Sequence, residues 1–233
     1  MDGETCFTQG LIHLEKEKKV PALKDVHGTS RFDFARRHQT WTSEQKSILL
    51  SNEKKFNLDG PDEFQYYCAD KTIPSETFSR RQGGWCSVKL WGAFGYKGTI
   101  CLQPITGRLN ADGYCNLLSK ARLQKDDKRI CGIRWIFQQH NAPYHKANLT
   151  TNFLKVNKIN VLQWPSLSPD LNSIENVWRY LVGKVYQNGR QFQFVEDLTS
   201  EIVKCWNPIP LQYLQTCTSK RICNGDIWTW SNN

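Results

Sequence analysis

Residues 133–145 read Ile-Arg-Trp-Ile-Phe-Gln-Gln-His-Asn-Ala-Pro-Tyr-His. Ile133–Gln139 has the β-branched and aromatic content of a buried strand, and it runs into a polar end. A residue at such a strand end can hold a ligand or a metal. The flanking residues lead one to expect a carboxylate next, and the chain has His140. Beyond it the rhythm turns helical. Lys146 to Asn157 spaces Leu149, Phe153, Leu154 and Val156 as a helix does. A short strand is expected at Ile159–Leu162. Trp164–Pro169 carries two prolines and is expected to be irregular. Helices are expected at Asn172–Tyr186 and Val195–Trp206.

Upstream, Asn110 to Leu123 reads as a helix with Ala111, Tyr114, Leu117, Leu118 and Ala121 on one side. Before that, strands dominate. Lys46–Ser51 reads as one, and Phe64–Tyr67 as a second after the turn residues Asp59-Gly60-Pro61-Asp62. Val88–Phe94 and Thr99–Leu102 read as two more, joined by Gly95-Tyr96-Lys97-Gly98. An early antiparallel meander followed by strand–helix alternation implies an α/β domain with a mixed sheet. Residues 1–40 are polar and basic and are expected to form an arm or linker, with a short helix over Ser30–His38. Residues 223–233 are expected to form an irregular tail.

The chain has 233 residues, 39% of them apolar and 12% aromatic, so a packed core is expected and global disorder is not. The formal net charge is +9, which favours a polyanionic partner, DNA above all. No run of eighteen apolar residues spans a membrane. The first residues, Met-Asp-Gly-Glu-Thr-Cys, lack the pattern of a signal peptide. The nine cysteines form no Cys-x-x-Cys pair, and with five histidines there is no zinc-finger spacing. They read as free thiols of a reducing compartment.

Three ends carry the candidate chemistry: Ser51-Asn52-Glu53, Gln139-His140-Asn141 and Asn172-Ser173-Ile174-Glu175. Glu175 on its own reads as part of a capping box with Asn172. Taken together, SNEKKFNLDGPDEFQYY (51–67), WIFQQHNAPYH (135–145) and WPSLSPDLNSIENVW (164–178) resemble the catalytic domain of Tc/mariner transposases, in the Tc branch. VKLWGAF (88–94) and FARRHQTWT (34–42) fit the same family, and the likeness spans roughly residues 30–222. The resemblance implies a ribonuclease-H-like fold, a mixed sheet flanked by helices, over residues 41–222. It implies two aspartates and a glutamate that hold Mg2+ or Mn2+ for DNA strand cleavage and integration. Two metals about 3.5–4 Å apart stabilise both the attacking and the leaving oxygen of an in-line displacement. Such hard ions want anionic oxygen ligands.

Carried over by residue, the family's glutamate falls on Glu175, its second aspartate on His140 and its first on Asn52. Residues 141 to 174 separate the last two positions, the spacing of this branch. Asparagine offers one neutral carbonyl oxygen, and imidazole suits zinc, copper or nickel better than magnesium. The resemblance therefore implies a chain that does not bind the family's metals productively. Glu53 points to the face of its strand opposite residue 52 and is not a simple substitute. Asp59 is expected to cap a turn and Asp170 to brace one. Asn52, His140 and Glu175 could alternatively hold a softer metal. His145 matches a family histidine, but a backbone-bonded helix-start role explains it equally well. Gly84-Trp85-Cys86 and Cys68-Ala69-Asp70 also depart from the family pattern, as relaxed constraint would produce.

Candidate DNA contacts are Arg80 and Arg81, before a glycine pair, and Lys120, Arg122, Lys128 and Arg129. The latter run, interrupted by Asp126 and Asp127, reads equally as a solvated loop. Only 40 residues precede Trp41, too few for the paired helix-turn-helix modules that read transposon ends in the family. The expectation is a nuclear, transposase-derived protein with non-specific DNA contact, a homodimer by resemblance, and no small-molecule substrate or membrane. An active metal-dependent nuclease and a non-functional transposon fragment are the competing readings. Trp91, Trp135, Trp164 and Trp178 are expected in or beside the core.

Overall fold

Ile48–Asn57 (β1) organises the sheet and both cores. A computed structural model describes residues 24–61, 87–121 and 123–219. β1 pairs antiparallel with Ser87–Gly95 (β2), with Leu50 opposite Phe94 and Asn52 opposite Gly92. On its other side it pairs parallel with Ile136–Gln138 (β5), with Ile48 opposite Ile136. Gly98–Thr99 (β3) and Gln103–Ile105 (β4) both pair with the outer side of β2. The sheet is thus mixed, antiparallel on one side of β1 and parallel on the other. The antiparallel run through β1, β2 and β3 and the later strand β5 are elements the sequence led one to expect, with different bounds.

The strand pleat sends alternate residues to opposite faces. Even-numbered Ile48, Leu50 and Phe56 of β1 join Val88, Leu90 and Phe94 of β2 in one core cluster. That face is covered by Ile174–Val185 (α6), Val195–Trp206 (α7) and Leu211–Ser219 (α8). Odd-numbered Leu49, Trp91 and Ala93 belong to a second cluster. Ala111–Lys120 (α2), Leu123–Cys131 (α3) and Asn148–Val156 (α5) cover it. Burying each large apolar side chain contributes roughly 1.5–3 kcal/mol. Trp178 and Trp206 stack at 5.1 Å between α6 and α7, and both are essentially inaccessible to solvent. Gly92 lies beneath them. A Cβ there would sit 2.7 Å from Trp178 Cη2 and 2.9 Å from Leu102 Cδ2, so the close approach of helix and strand requires glycine.

Several boundaries differ from the sequence expectation. The strand expected over Lys46–Ser51 begins at Ile48, after a 3-10 turn at Glu44–Ser47, and runs on to Asn57. Its second half carries Glu53, Lys54 and Lys55, which hid a strand held by β2 pairing and by Phe56. The Thr99–Leu102 strand is instead split between β3 and β4. β4 contains Pro104, tolerated at a sheet edge where its missing N–H costs no ladder bond. The Ile133–Gln139 strand shrinks to three residues because Gly132, at φ 90°, and a turn precede it, leaving Ile133 88% exposed. The Ile159–Leu162 strand is a single parallel bridge, Val161 to Phe137. The Lys146–Asn157 helix is two, Pro143–Lys146 (α4) and α5, broken at Ala147, whose ψ is 145°. α3 and α8 were not anticipated. The Phe64–Tyr67 strand and the 223–233 tail lie outside the described residues.

Within the segment expected to be an arm, Asp25–His38 (α1) is a helix, and its Phe34 belongs to the first core cluster. Arg31 anchors it. Its guanidinium donates to both carboxylate oxygens of Asp170, at 2.8 and 2.5 Å, and to Ser168 Oγ at 2.9 Å. Asp170 thus braces the proline loop onto α1. Trp91, Trp135 and Trp178 are buried, and Trp164 packs partly buried against the first cluster.

Candidate active site and metal centre

The middle of β1 and the segments that follow or flank its neighbours bring two groups of polar side chains to opposite faces of one strand, not to its end as the sequence led one to expect. On the even face, Asn52 meets the first turn of α6. Asn172 ties that helix start to the sheet, its side-chain amide donating to the Ser51 carbonyl at 3.1 Å. Its Oδ1 accepts from Ile174 N at 3.3 Å. The expected capping box therefore does not form. Ser173 occupies the N-cap, and the Asn172 side chain is spent bridging strand to helix. Glu175 is left to reach toward β1, where the Asn52 Nδ2 donates to its Oε1 at 2.5 Å. A carboxylate next to the N-terminal turn of a helix is also favoured by the helix dipole.

On the odd face, Glu53 is almost fully buried, its side chain 7% exposed. Tyr144 of α4 donates its hydroxyl to Glu53 Oε1 at 3.2 Å. His140, just past β5, places Nδ1 3.6 Å from Glu53 Oε2, and His145 of α4 places Nε2 3.9 Å from Oε1. The two imidazoles meet edge to face at 4.4 Å, and Tyr114 of α2 packs on His145 at 4.3 Å. The Nδ1 of His145 bonds the His140 carbonyl oxygen, the backbone bond expected for it. Burial first, and the neighbouring His140 second, push the His145 pKa down to about 3 against that backbone bond, so the ring is neutral. Burial, then the charge of Glu53, push the Tyr144 hydroxyl up, which keeps it a donor.

Of the three positions the sequence singled out, Asn52 and Glu175 come together. His140 turns instead to Glu53, Tyr144 and His145. The sequence placed Glu53 on the face away from residue 52, which the structure bears out, but set it aside as a ligand. The signal that could have found it lies in the same alternation: Glu53 shares its face with Ser51, and the polar ends of β5 and α4 meet that face. Three of the basic candidates fall among the described residues. Lys120 ends α2, and Lys128 and Arg129 lie exposed in the last turn of α3, on a helix where a loop was a reading. Arg80, Arg81 and Arg122 lie outside the described residues.

Residues 47–199 match the family of DDE superfamily endonucleases. The chain belongs to that family. It is 37% identical over 209 residues to the transposable element Tc3 transposase of Caenorhabditis elegans, covering 89% of this chain and 62% of that protein. Identity to the Tcb1 transposase of Caenorhabditis briggsae is 27% over 209 residues, covering 88% and 76%. The domain is therefore a Tc/mariner transposase catalytic domain, and it spans less than two thirds of its Tc3 relative. Its ribonuclease-H-like fold is seen in the Mos1 mariner paired end complex with Mn, at TM-score 0.73 and 17% identity over 93% of this chain and 67% of that one. The Mos1 catalytic domain alone gives 0.64 at 16% identity over 90% and 94%. Mos1 paired end complexes have been solved with Mn and with Mg, so a divalent metal belongs to the family.

The residues on the even face do not fit a hard divalent ion as they stand. A hard divalent ion needs anionic oxygens, and two of them close together need several to offset their mutual repulsion. Here the Glu175 carboxylate accepts the NH2 end of Asn52, a group that donates and cannot ligate. The side chain at position 140 is an imidazole turned toward Glu53, its Nδ1 3.6 Å from Oε2.

Proposed function

We propose that this chain is a transposase-derived DNA-binding protein whose ribonuclease-H-like domain does not cleave strands. The observation that carries the reading is the Asn52–Glu175 hydrogen bond, which closes on itself the place where two metals would be held. His140 removes a second carboxylate position from the same centre. The net charge of +9 supports contact with phosphates that is salt-sensitive and independent of sequence. Mos1 has been solved with a transposon end, which supports DNA as the partner class. A homodimer and a nuclear location complete the reading.

The test is nicking of supercoiled plasmid with Mg2+ or Mn2+, comparing the native chain with the double variant Asn52→Asp, His140→Asp. Nicking by the double variant alone supports the reading. Nicking by the native chain refutes it. Silence from both would mean that strand cleavage depends on more than these two side chains. DNA binding is tested separately. Retention on immobilised duplex should fall steeply with salt and be equal for unrelated sequences, and no retention at low salt would sink that half of the reading.

A further inference from the structure

The buried cluster on the odd face of β1 has a chemistry of its own. Glu53 is a carboxylate withdrawn from water, with a tyrosine hydroxyl as a hydrogen-bond donor and no lysine or arginine among the contacts described for it. An isolated buried carboxylate is costly unless a cation or strong donors neutralise it. The two nitrogens that face it do not donate to it. Distances of 3.6 and 3.9 Å are too long for N–H···O bonds. Both His140 Nδ1 and His145 Nε2 are buried with no hydrogen-bond partner. For His145 the reason is visible: its Nδ1 faces the His140 carbonyl, which can only accept, so Nδ1 carries the proton and Nε2 presents a lone pair. His145 is 3% exposed, so water does not relieve that lone pair.

We propose that Glu53, His140 and His145 form a binding site for a divalent first-row transition ion of the zinc class. The ligand atoms all lie within 4.8 Å of one another. Ligands at about 2.0–2.1 Å from a tetrahedral ion stand about 3.4 Å apart; His140 Nδ1 is 3.6 Å from Glu53 Oε2 and His145 Nε2 is 3.9 Å from Oε1, so each nitrogen faces its own oxygen of the carboxylate. Small side-chain movements close the site. Two imidazoles and one carboxylate suit zinc and its neighbours, not magnesium or calcium. The surroundings have the supporting partners such sites use. The His140 carbonyl fixes the His145 tautomer and ring, and the Tyr144 hydroxyl orients Glu53. The His140 side chain is 37% exposed, so one of the three ligands lies at the surface. Glu53 and His145 of this site lie across β1 from the Asn52–Glu175 pair, while His140 occupies the position that the proposed function reads as a lost carboxylate of that pair's centre.

The experiment takes the full chain stripped with a chelator and titrates it with zinc chloride. Bound metal is measured after dialysis, and Co2+ serves as a spectroscopic substitute. The expected result is one zinc per chain, a rise in melting temperature, and visible Co2+ bands of a four- or five-coordinate nitrogen and oxygen site. His140→Ala, partly exposed and therefore compatible with folding, should weaken zinc binding by at least about a hundredfold. Tyr144→Phe should weaken it by about tenfold. Cooperative melting of each metal-free variant confirms that the fold is intact. The proposal is overturned by a chain that holds no stoichiometric zinc. It is equally overturned by unchanged affinity in His140→Ala, or by the thiolate-to-Co2+ charge-transfer bands that would place the ion on cysteines.

Discussion

Replacing Asn52 by aspartate puts a second carboxylate where the structure has an amide donor 2.5 Å from Glu175 Oε1. The variant is nearly isosteric, so packing changes little and the consequence is electrostatic. Even after the two groups relax to about 4 Å, their repulsion at an effective dielectric of about 20 is about 4 kcal/mol. Both residues are half-buried, so part of that is screened. The lost bond from an amide to a charged acceptor adds about 1.5–3 kcal/mol. Partial rotation of the new side chain toward solvent offsets some of the sum. A net loss of about 3 kcal/mol is expected in metal-free buffer, or about 6–12 °C in melting temperature for a domain of this size.

The sign reverses with magnesium. Two facing carboxylates are a site for a hard divalent ion, and a ligand that binds only the folded state at a hundred times its Kd stabilises by about 2.7 kcal/mol. The assay is thermal unfolding followed by circular dichroism, in chelator and in magnesium, for the native chain and the variant. Stripped of bound zinc beforehand, the native chain should melt at the same temperature in both buffers. The variant should melt lower in chelator and recover most of the difference with magnesium. A variant that melts within about 2 °C of the native chain in chelator would show that residue 52 and Glu175 are not in contact, and the account of a closed centre would fall with it.

Three further outcomes follow from the packing and the charges. Gly92→Ala forces a Cβ against Trp178 and Leu102 in the first core, and should cost about 1–3 kcal/mol, read as a lower urea midpoint with an unchanged slope. Arg31→Ala leaves Asp170 and Ser168 without their guanidinium. It should loosen α1, raising amide hydrogen exchange in residues 25–38 while the α6 amides stay protected, and equal exchange in both would contradict the anchor. His38 is buried between Phe34 and Trp41, and burial lowers its pKa below the ordinary value. The unfolded chain therefore binds more protons than the folded one just below pH 6.5. Stability contributed by this residue is complete above that pH and is lost as pH falls through it. The urea midpoint should drop less between pH 7 and pH 5 in His38→Phe than in the native chain.

The sequence was legible where one physical signal acted alone. Val195–Trp206 needed only its 3.6-residue spacing, and the helix is where that spacing put it. Val88–Phe94 needed only its apolar run bounded by glycine. β1 was half legible because its second half is written in charged residues whose strand state is imposed by pairing with β2, a contact between distant segments. α3 was hidden for the opposite reason: Leu123, Ile130 and Cys131 are its buried apolar residues, and the charges between them outvote the pattern. At the site, the residue types at positions 52, 140 and 175 could be read in line. Which way His140 turns could not, because it depends on Glu53 and on α4, whose break at Ala147 no local signal announced.

That orientation changes what reverting the chain would mean. Asn52 and Glu53 are consecutive, yet the pleat gives them to different centres, and His140, two residues past the neighbouring strand, turns to the Glu53 side. With imidazole at 140 the side chain completes the proposed transition-metal site around Glu53. With aspartate at 140 it would bring a second carboxylate near the buried Glu53 and remove one of two nitrogen ligands. Zinc binding and magnesium-dependent cleavage are then exclusive outcomes of one position. In the double variant Asn52→Asp, His140→Asp, any gain in nicking should come with loss of stoichiometric zinc, whereas Asn52→Asp alone should keep zinc and stay inactive. A variant that nicked DNA while retaining zinc on Glu53 and His145 would break this coupling. It would show that the two faces of β1 are chemically independent.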